Sequence, residues 1–304
     1  MKYFFFLFLF VLSFEANAQM LNDSPFVASV AHPKFKKGKG PKMLIDAAHH
    51  NFIVEMGLIK PLMDVVTSDG YRPTIDSSVF TKPYLDQYKV VVISPAMPFL
   101  FGSKPEVTNE ITFTDAELNA LHNWVLEGGA LLMLSEHAPI DKSMTPLFNK
   151  FGIQMSSGAI YDSLHYDTSV DLPSNVTILK FTTQNGLLNQ DHPITKGENS
   201  TEKINNIVTY TGSSLQGEGY ANIFKLSPSA KMKKWNRGLP ANLGNSQGLA
   251  GTIGKGKVAA FGDCNGFTAM YIKTNTGQKF SAGMQVQAYD WKQFVLNTFH
   301  WLSK

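Results

Sequence analysis

Apolar residues along this chain fall into two kinds of run. Four are short and continuous: Met43-Leu-Ile-Asp-Ala47, Lys89-Val-Val-Val-Ile-Ser94, Ala130-Leu-Leu-Met-Leu-Ser135 and Lys257-Val-Ala-Ala-Phe261. They lack polar alternation, which is the pattern of strands buried on both faces. Tyr71-Arg-Pro-Thr-Ile75 is a weaker strand of the same kind. The other runs have helical spacing. Ile53 to Val66 is one, with Pro61 expected near its first turn or at a kink. Thr114-Asp-Ala-Glu117 is a capping box, in which the Thr hydroxyl and the Glu carboxylate each satisfy a backbone N–H of the first turn. The helix it opens is expected to end at Gly128-Gly129. Residues 143–151 and about 290–302 are further helices, the last with Trp291, Phe294, Val295, Thr298, Phe299 and Leu302 on one stripe.

Strands alternating with helices predict an α/β fold: a flavodoxin-like, mostly parallel sheet with helices on both faces. The stretch from about 153 to 245 departs from this pattern. It is rich in Asn, Ser, Thr and Gly, and Val176–Phe181, Ile207–Tyr210 and Ala221–Leu226 read as strands of an irregular antiparallel insertion. Gly248–Ile253 and Lys257–Phe261 flank Gly254-Lys-Gly256, a hairpin turn.

The N-terminus carries an address. Lys2 precedes an apolar run from Tyr3 to Phe14, and Ala16-Asn17-Ala18 supplies small residues before a cleavage site. This is the form of a secretory signal peptide, shorter than the roughly 20 residues of a spanning helix. No Cys follows the run, so a lipid anchor is not expected, and no later segment is apolar enough to span a membrane. The expected product is exported, periplasmic or extracellular. The expected organisation is a leader over 1–18, an extended basic lead-in over 19–42 and one α/β domain over 43–304 with its insertion. The lead-in holds five Lys between His32 and Lys42 among Gly and Pro, and reads as a solvated linker.

Composition narrows the classes. At 43% hydrophobic and 17% charged, the chain is neither disordered nor highly charged. A single Cys forbids an intrachain disulfide, so an exported chain must depend on its core. A net charge of +3 does not argue for nucleic acid.

In parallel α/β sheets, ligands bind outside the carboxyl ends of the strands. The residues just after the buried strands are therefore the candidates. They are Asp46, His49, His50 and Asn51; Ser94; Ser135, Glu136 and His137; and Asp263, Cys264 and Asn265. Carboxylates and imidazoles at one edge suit general acid/base chemistry, and the donor set is compatible with a divalent metal. Glu136 or Asp263 is the expected general base. His49, His50 and His137 are the expected acid/base groups or ligands, and Asn51, Ser135 and Asn265 the expected ligand contacts.

Three other chemistries find little support in the residues. Ser135 lacks the Gly-x-Ser-x-Gly elbow of hydrolases. Cys264 reads as a small core residue. Gly254-Lys-Gly-Lys257 lacks the rest of a phosphate loop, and no Gly-x-Gly-x-x-Gly follows the first strand, so no nucleotide cofactor is expected. Lys231–Arg237 reads as a solvated basic loop. His192 lies in a turn-rich loop from which it can reach the sheet edge. Asn175-Val-Thr177 and Asn199-Ser-Thr201 are glycosylation patterns, relevant to a eukaryotic source.

Several segments together resemble the class I glutamine-amidotransferase-like superfamily, in an exported bacterial branch that lacks the catalytic Cys. They are Leu44-Ile-Asp-Ala-Ala-His-His-Asn51, Phe113-Thr-Asp-Ala-Glu117, Trp124-Val-Leu-Glu-Gly-Gly-Ala-Leu-Leu132, Glu136-His-Ala-Pro139, His192-Pro-Ile-Thr195 and Gly254-Lys-Gly-Lys-Val258. The resemblance covers about 43–302. It implies a flavodoxin-like fold, and the missing Cys elbow and His-x-Glu pair imply no glutamine hydrolysis. Through ThuA-like relatives it implies a polar or carbohydrate ligand. The expected function is a hydrolase acting on a polar, carbohydrate-derived substrate; a non-catalytic binding or accessory module of a surface assembly is the alternative.

Overall fold

The computed structural model describes residues 19–22, 25–100, 103, 111–138, 140–170, 175–233, 244–273 and 277–304. The leader and the part of the basic loop beyond Lys233 lie outside the described residues.

The apolar runs become one nine-stranded sheet. Five strands are mutually parallel, in spatial order Arg72–Asp76, Lys42–Asp46, Val90–Ile93, Ala130–Leu134 and Gly256–Phe261. Their register aligns apolar rows. Ile45 pairs with Val92, Val92 with Leu132, and Leu132 with Ala259, all facing one layer. The neighbouring row of Leu44, Val91, Leu131 and Val258 faces the other. Burial on both faces explains why these strands show no alternation. The helices Phe52–Glu55, Lys60–Ser68 and Trp291–Ser303 contribute to the first layer. Asp115–Leu126 and Asp141–Lys150 contribute to the second.

The expected single helix over 53–66 is divided. Gly57 adopts φ +69°, and Pro61 lies in the first turn of the helix that follows. A left-handed glycine ends one helix, and proline in the first turn of the next gives up no intrahelical hydrogen bond.

The middle region is not an appendage to the sheet. Ile153–Met155, Leu215–Gly217 and Ala221–Lys225 extend it antiparallel, beyond Ser246–Ile253. That last strand forms the expected hairpin with Gly256–Phe261. Among the described residues of this region, Ala159–Tyr161 with Lys231–Lys233, and Lys180–Thr182 with Asn206–Val208, form small separate sheets. Val176 lies in a 3-10 turn rather than a strand. The lead-in begins as a strand, Gln19–Asn22, on a three-stranded sheet with Ala269–Lys273 and Lys279–Gly283. The chain is thus a mixed α/β fold around a parallel centre.

Aromatic side chains join the middle region to the core. Phe224 stacks on Phe181 with centroids 5.1 Å apart and makes tilted contacts with Phe294 at 5.1 Å and Phe261 at 5.7 Å. Deleting this side chain should cost about 3–5 kcal/mol. Phe224→Ala is therefore expected to lower the stability of a single cooperative urea transition. Two transitions with only one of them moved would show instead that the middle region folds apart.

Candidate functional site

The strand-end residues form two groups. The first is built on the carboxyl end of Lys42–Asp46. Buried Asp46 accepts from the Ala48 amide at 2.9 Å and from Asn51 Nδ2 at 2.6 Å, and its carboxylate meets His49 Nδ1 at 2.9 Å. His49 Nε2 lies 3.0 Å from Glu117 Oε1, and the ring packs between Phe80 and Phe113. Glu117 also completes the capping box, its Oε2 accepting from the Thr114 amide and hydroxyl at 3.1 and 2.7 Å. One carboxylate therefore caps a helix and ties it to a strand end. Asn51 Oδ1 accepts from the Ser94 amide and hydroxyl, which joins that strand end to the neighbouring one.

Burial disfavours a charged His49. The hydrogen bond and charge of Asp46, with those of Glu117, outweigh it and raise the pKa above the ordinary value. Glu117 is raised by burial, but Thr114 and His49 together bring it below the ordinary carboxylate range. With a carboxylate at each ring nitrogen, the protonated form of His49 is favoured and donates from both. It has no lone pair for a metal or a substrate proton. His50 points away, exposed, with Nδ1 2.7 Å from Glu55 Oε1.

The second group lies at the ends of Ala130–Leu134 and Gly256–Phe261. Glu136 is buried. Its Oε1 accepts from the His137 amide at 2.9 Å, its Oε2 accepts from Asn265 Nδ2 at 2.7 Å, and Cys264 Sγ lies 3.5 Å from that oxygen. Asp263 accepts from the backbone amides of Asn265 and Tyr210. Burial, then the charge of Asp263, pushes Glu136 well above the usual carboxylate range. Burial also raises Asp263 to about 6, against the pull of its two amides and Asn265. Cys264 is raised well above the usual thiol value by burial and by the two carboxylates, so it is not a thiolate nucleophile.

His137 is one-third exposed at 33% of its side chain. Its Nδ1 is 2.6 Å from the Ala138 carbonyl, which assigns the proton to Nδ1, and Nε2 lies 3.9 Å from Glu136 Oε1. Burial lowers its pKa although the Ala138 carbonyl opposes that shift, so the ring is neutral near pH 7. Ser135 is buried, its Oγ 3.1 Å from Met155 Sδ. Beside Met155 a cleft of about 340 Å³ is lined by uncharged polar groups, including Thr145, Asn149, Gln154, Ser156 and Gln216.

The predicted residues therefore do not converge. Among the described residues no hydrogen bond or ion pair joins the His49 group to the Glu136 group. The loop from Ser94 to Met97 lies between them, with Met97 N donating to His49 O and Ala96 O accepting from Ser143. The described residues hold no group of three or more His, Cys, Asp or Glu arranged for a metal. Glu136 holds its proton more tightly than an ordinary carboxylate, which suits a donor rather than the expected base, and the Asp263 carboxylate is occupied by the Asn265 and Tyr210 amides. His192 does not reach this edge: it caps the helix Pro193–Lys196 and packs on Trp301 near Lys257. In the sequence Glu117 is legible only as a cap. Its second partner, His49, is 68 residues away, and nothing local announces it.

No family model matches the chain, and no curated protein matches it. Similar solved structures include the N-terminal domain of mmIFT52, at 15% identity and a TM-score of 0.58, covering 86% of this chain and 97% of that one. A ThuA-like protein of Bacteroides uniformis is 14% identical, covering 92% and 95% of the two chains, with a TM-score of 0.42. Another, from Parabacteroides merdae, is 11% identical, covering 88% and 91%, with a TM-score of 0.45. The first likeness is one of fold.

The two groups set a pH dependence. The folded pKa of His49 lies above its unfolded value, so its contribution is complete below about 6.5 and is lost as pH rises through the folded value. Glu136 and Asp263 act in the same direction, because the folded state keeps protons that the unfolded chain releases. Stability should therefore fall in urea titrations as pH rises above about 7; at lower pH the depressed His137 and His192 act in the opposite direction. Glu136→Gln keeps the shape, removes a buried ionisable group and should raise stability at pH 8 by about 1–3 kcal/mol. A pH-independent midpoint would contradict this assignment.

Proposed function

We propose that this chain is an exported hydrolase acting by acid/base chemistry on a polar, carbohydrate-derived substrate, with Glu136 as proton donor and His137 as base. One observation carries the reading. Two adjacent residues at a strand end have their pKa values driven apart, the carboxyl upward and the imidazole downward, and lie 3.9 Å from each other. Such divergence is how an active site holds an acid and a base together near neutral pH. In the step inferred, His137 Nε2 takes a proton from water as its oxygen attacks the electrophilic carbon. Glu136 gives its proton to the leaving oxygen as the bond breaks, and Asn265 stays hydrogen-bonded to the carboxylate left behind. The uncharged cleft beside Met155 suits a hydroxyl-rich ligand. The strand order and the resemblance in sequence support the finer reading of a flavodoxin-like, glutamine-amidotransferase-like fold.

A second reading, a binding or accessory module without chemistry, draws on a different observation. His49, Asn51 and Asp263 spend their polar atoms on the fold itself.

Hydrolysis of chromogenic glycosides and sugar esters by the purified chain separates the two readings. Glu136→Gln and His137→Asn should each lower kcat at least a hundredfold with the fold intact. The wild-type rate should rise as pH increases through the depressed value of His137 and fall as Glu136 ionises. Saturable sugar binding with no product, unchanged in both variants, would favour the accessory module and defeat the enzyme.

A further inference from the structure

The opposite edge of the sheet has a chemistry of its own. Parallel strands begin at one edge, and here four of the five carry a cation at, directly before or one residue into their start: Lys42, Arg72, Lys89 and Lys257. The lead-in adds more. Its turn closes with Lys39 N donating to Lys36 O at 2.9 Å, then Gly40 N donates to Gly70 O at 2.9 Å and Arg72 Nε donates to Gly40 O at 2.9 Å. Glycine makes that approach feasible. A Cβ on Gly40 would lie 2.7 Å from Gly70 O, and one on Gly70, at φ +93°, would lie 2.3 Å from Phe35 O. The predicted solvated linker is therefore docked, and it holds exposed Lys36, Lys37 and Lys39 beside the strand starts.

Acids offset only part of this edge. Glu198 takes Lys34 and Lys304 at 2.6 and 2.9 Å, Lys82 is held by Asp86 and Glu127, and buried Asp69 faces His300. Among the described residues Lys36, Lys37, Lys39 and Lys42 have no carboxylate within ion-pair distance, and neither do Arg72, Lys89 and Lys257. Lys89 and Lys257 instead donate to the carbonyls of Gly128 and Trp301 at 2.9 and 2.8 Å. Lys257 is held below its ordinary value by burial and by the charges of Lys89 and Lys304. In a chain of net charge +3, this concentrates positive charge at one end.

We propose that the amino edge of the parallel sheet is a docking face for an anionic phospholipid surface. The cations are nearly all lysines, point charges on flexible stems that suit a diffuse array of head groups rather than bidentate recognition of a single phosphate. Five strands at about 4.8 Å spacing span roughly 19 Å, broad enough to meet several head groups. Nucleic acid fits less well: among the described residues none of the exposed large hydrophobic side chains is aromatic, so none offers a stacking platform beside the charge. The face lies at the end of the strands away from Glu136, so this proposal stands or falls apart from the enzyme reading.

Co-sedimentation of the full chain with phosphatidylglycerol vesicles tests it, with pure phosphatidylcholine vesicles for comparison. Binding should require the anionic lipid and weaken in high salt. Reversing the lead-in turn, Lys36→Glu with Lys37→Glu and Lys39→Glu, should weaken it by at least about a hundredfold. The same charge change at Lys60, Lys225 and Lys279 should have a small effect. No binding to the anionic vesicles, equal loss in both triple variants, or tighter capture by duplex DNA or dextran sulfate would overturn the assignment.

Discussion

Burying four of the five parallel strands on both faces is the constraint from which the rest follows. Side chains along each strand must be apolar in both directions, so polar groups are driven to the ends. Ile45, Val92, Leu132 and Ala259 lie side by side on one face, and Leu44, Val91, Leu131 and Val258 on the other. The first residue beyond each row is the first place where a charge can stand. The carboxylates and imidazoles gather at one edge and the lysines at the other because the strands run the same way.

At the carboxyl edge the polar residues have been put to different uses. Asp46, His49 and Glu117 form a buried triad that joins a strand end to a helix start, with one imidazole held between two carboxylates. Glu136 has no such cation: its burial is compatible with the fold because it keeps its proton and accepts from Asn265 and the His137 amide. Burial disfavours the charged ring in both groups; at His49 the Asp46 and Glu117 carboxylates outweigh it, whereas at His137 the opposing Ala138 carbonyl does not, and that ring is neutral.

The middle region shows how little a change in composition says about independence. Its Asn- and Ser-rich segments carry short strands that continue the main sheet, and Phe224 places it in the central aromatic cluster. The lead-in behaves likewise. Its Gly and Pro content, which suggests a linker, serves the close passage of Gly40 over Gly70.

The sequence by itself determined the elements. Continuous β-branched runs, the helical stripe of Trp291 to Leu302, the Thr114–Glu117 box and the Gly254–Gly256 turn are local signals, because burial on two faces, amphipathic spacing and cap chemistry act within a few residues. It also determined which residues end the strands. Tertiary structure alone decided which of them meet. His49 finds Glu117 across 68 residues and Glu136 finds Asn265 across 129, and these distances in sequence carry no period or motif. Protonation follows from those encounters, since burial and a neighbouring charge move a pKa where residue type does not. The basic edge was equally hidden. Lys42, Arg72, Lys89 and Lys257 are unremarkable one at a time, and only parallel strand order brings them to a common end.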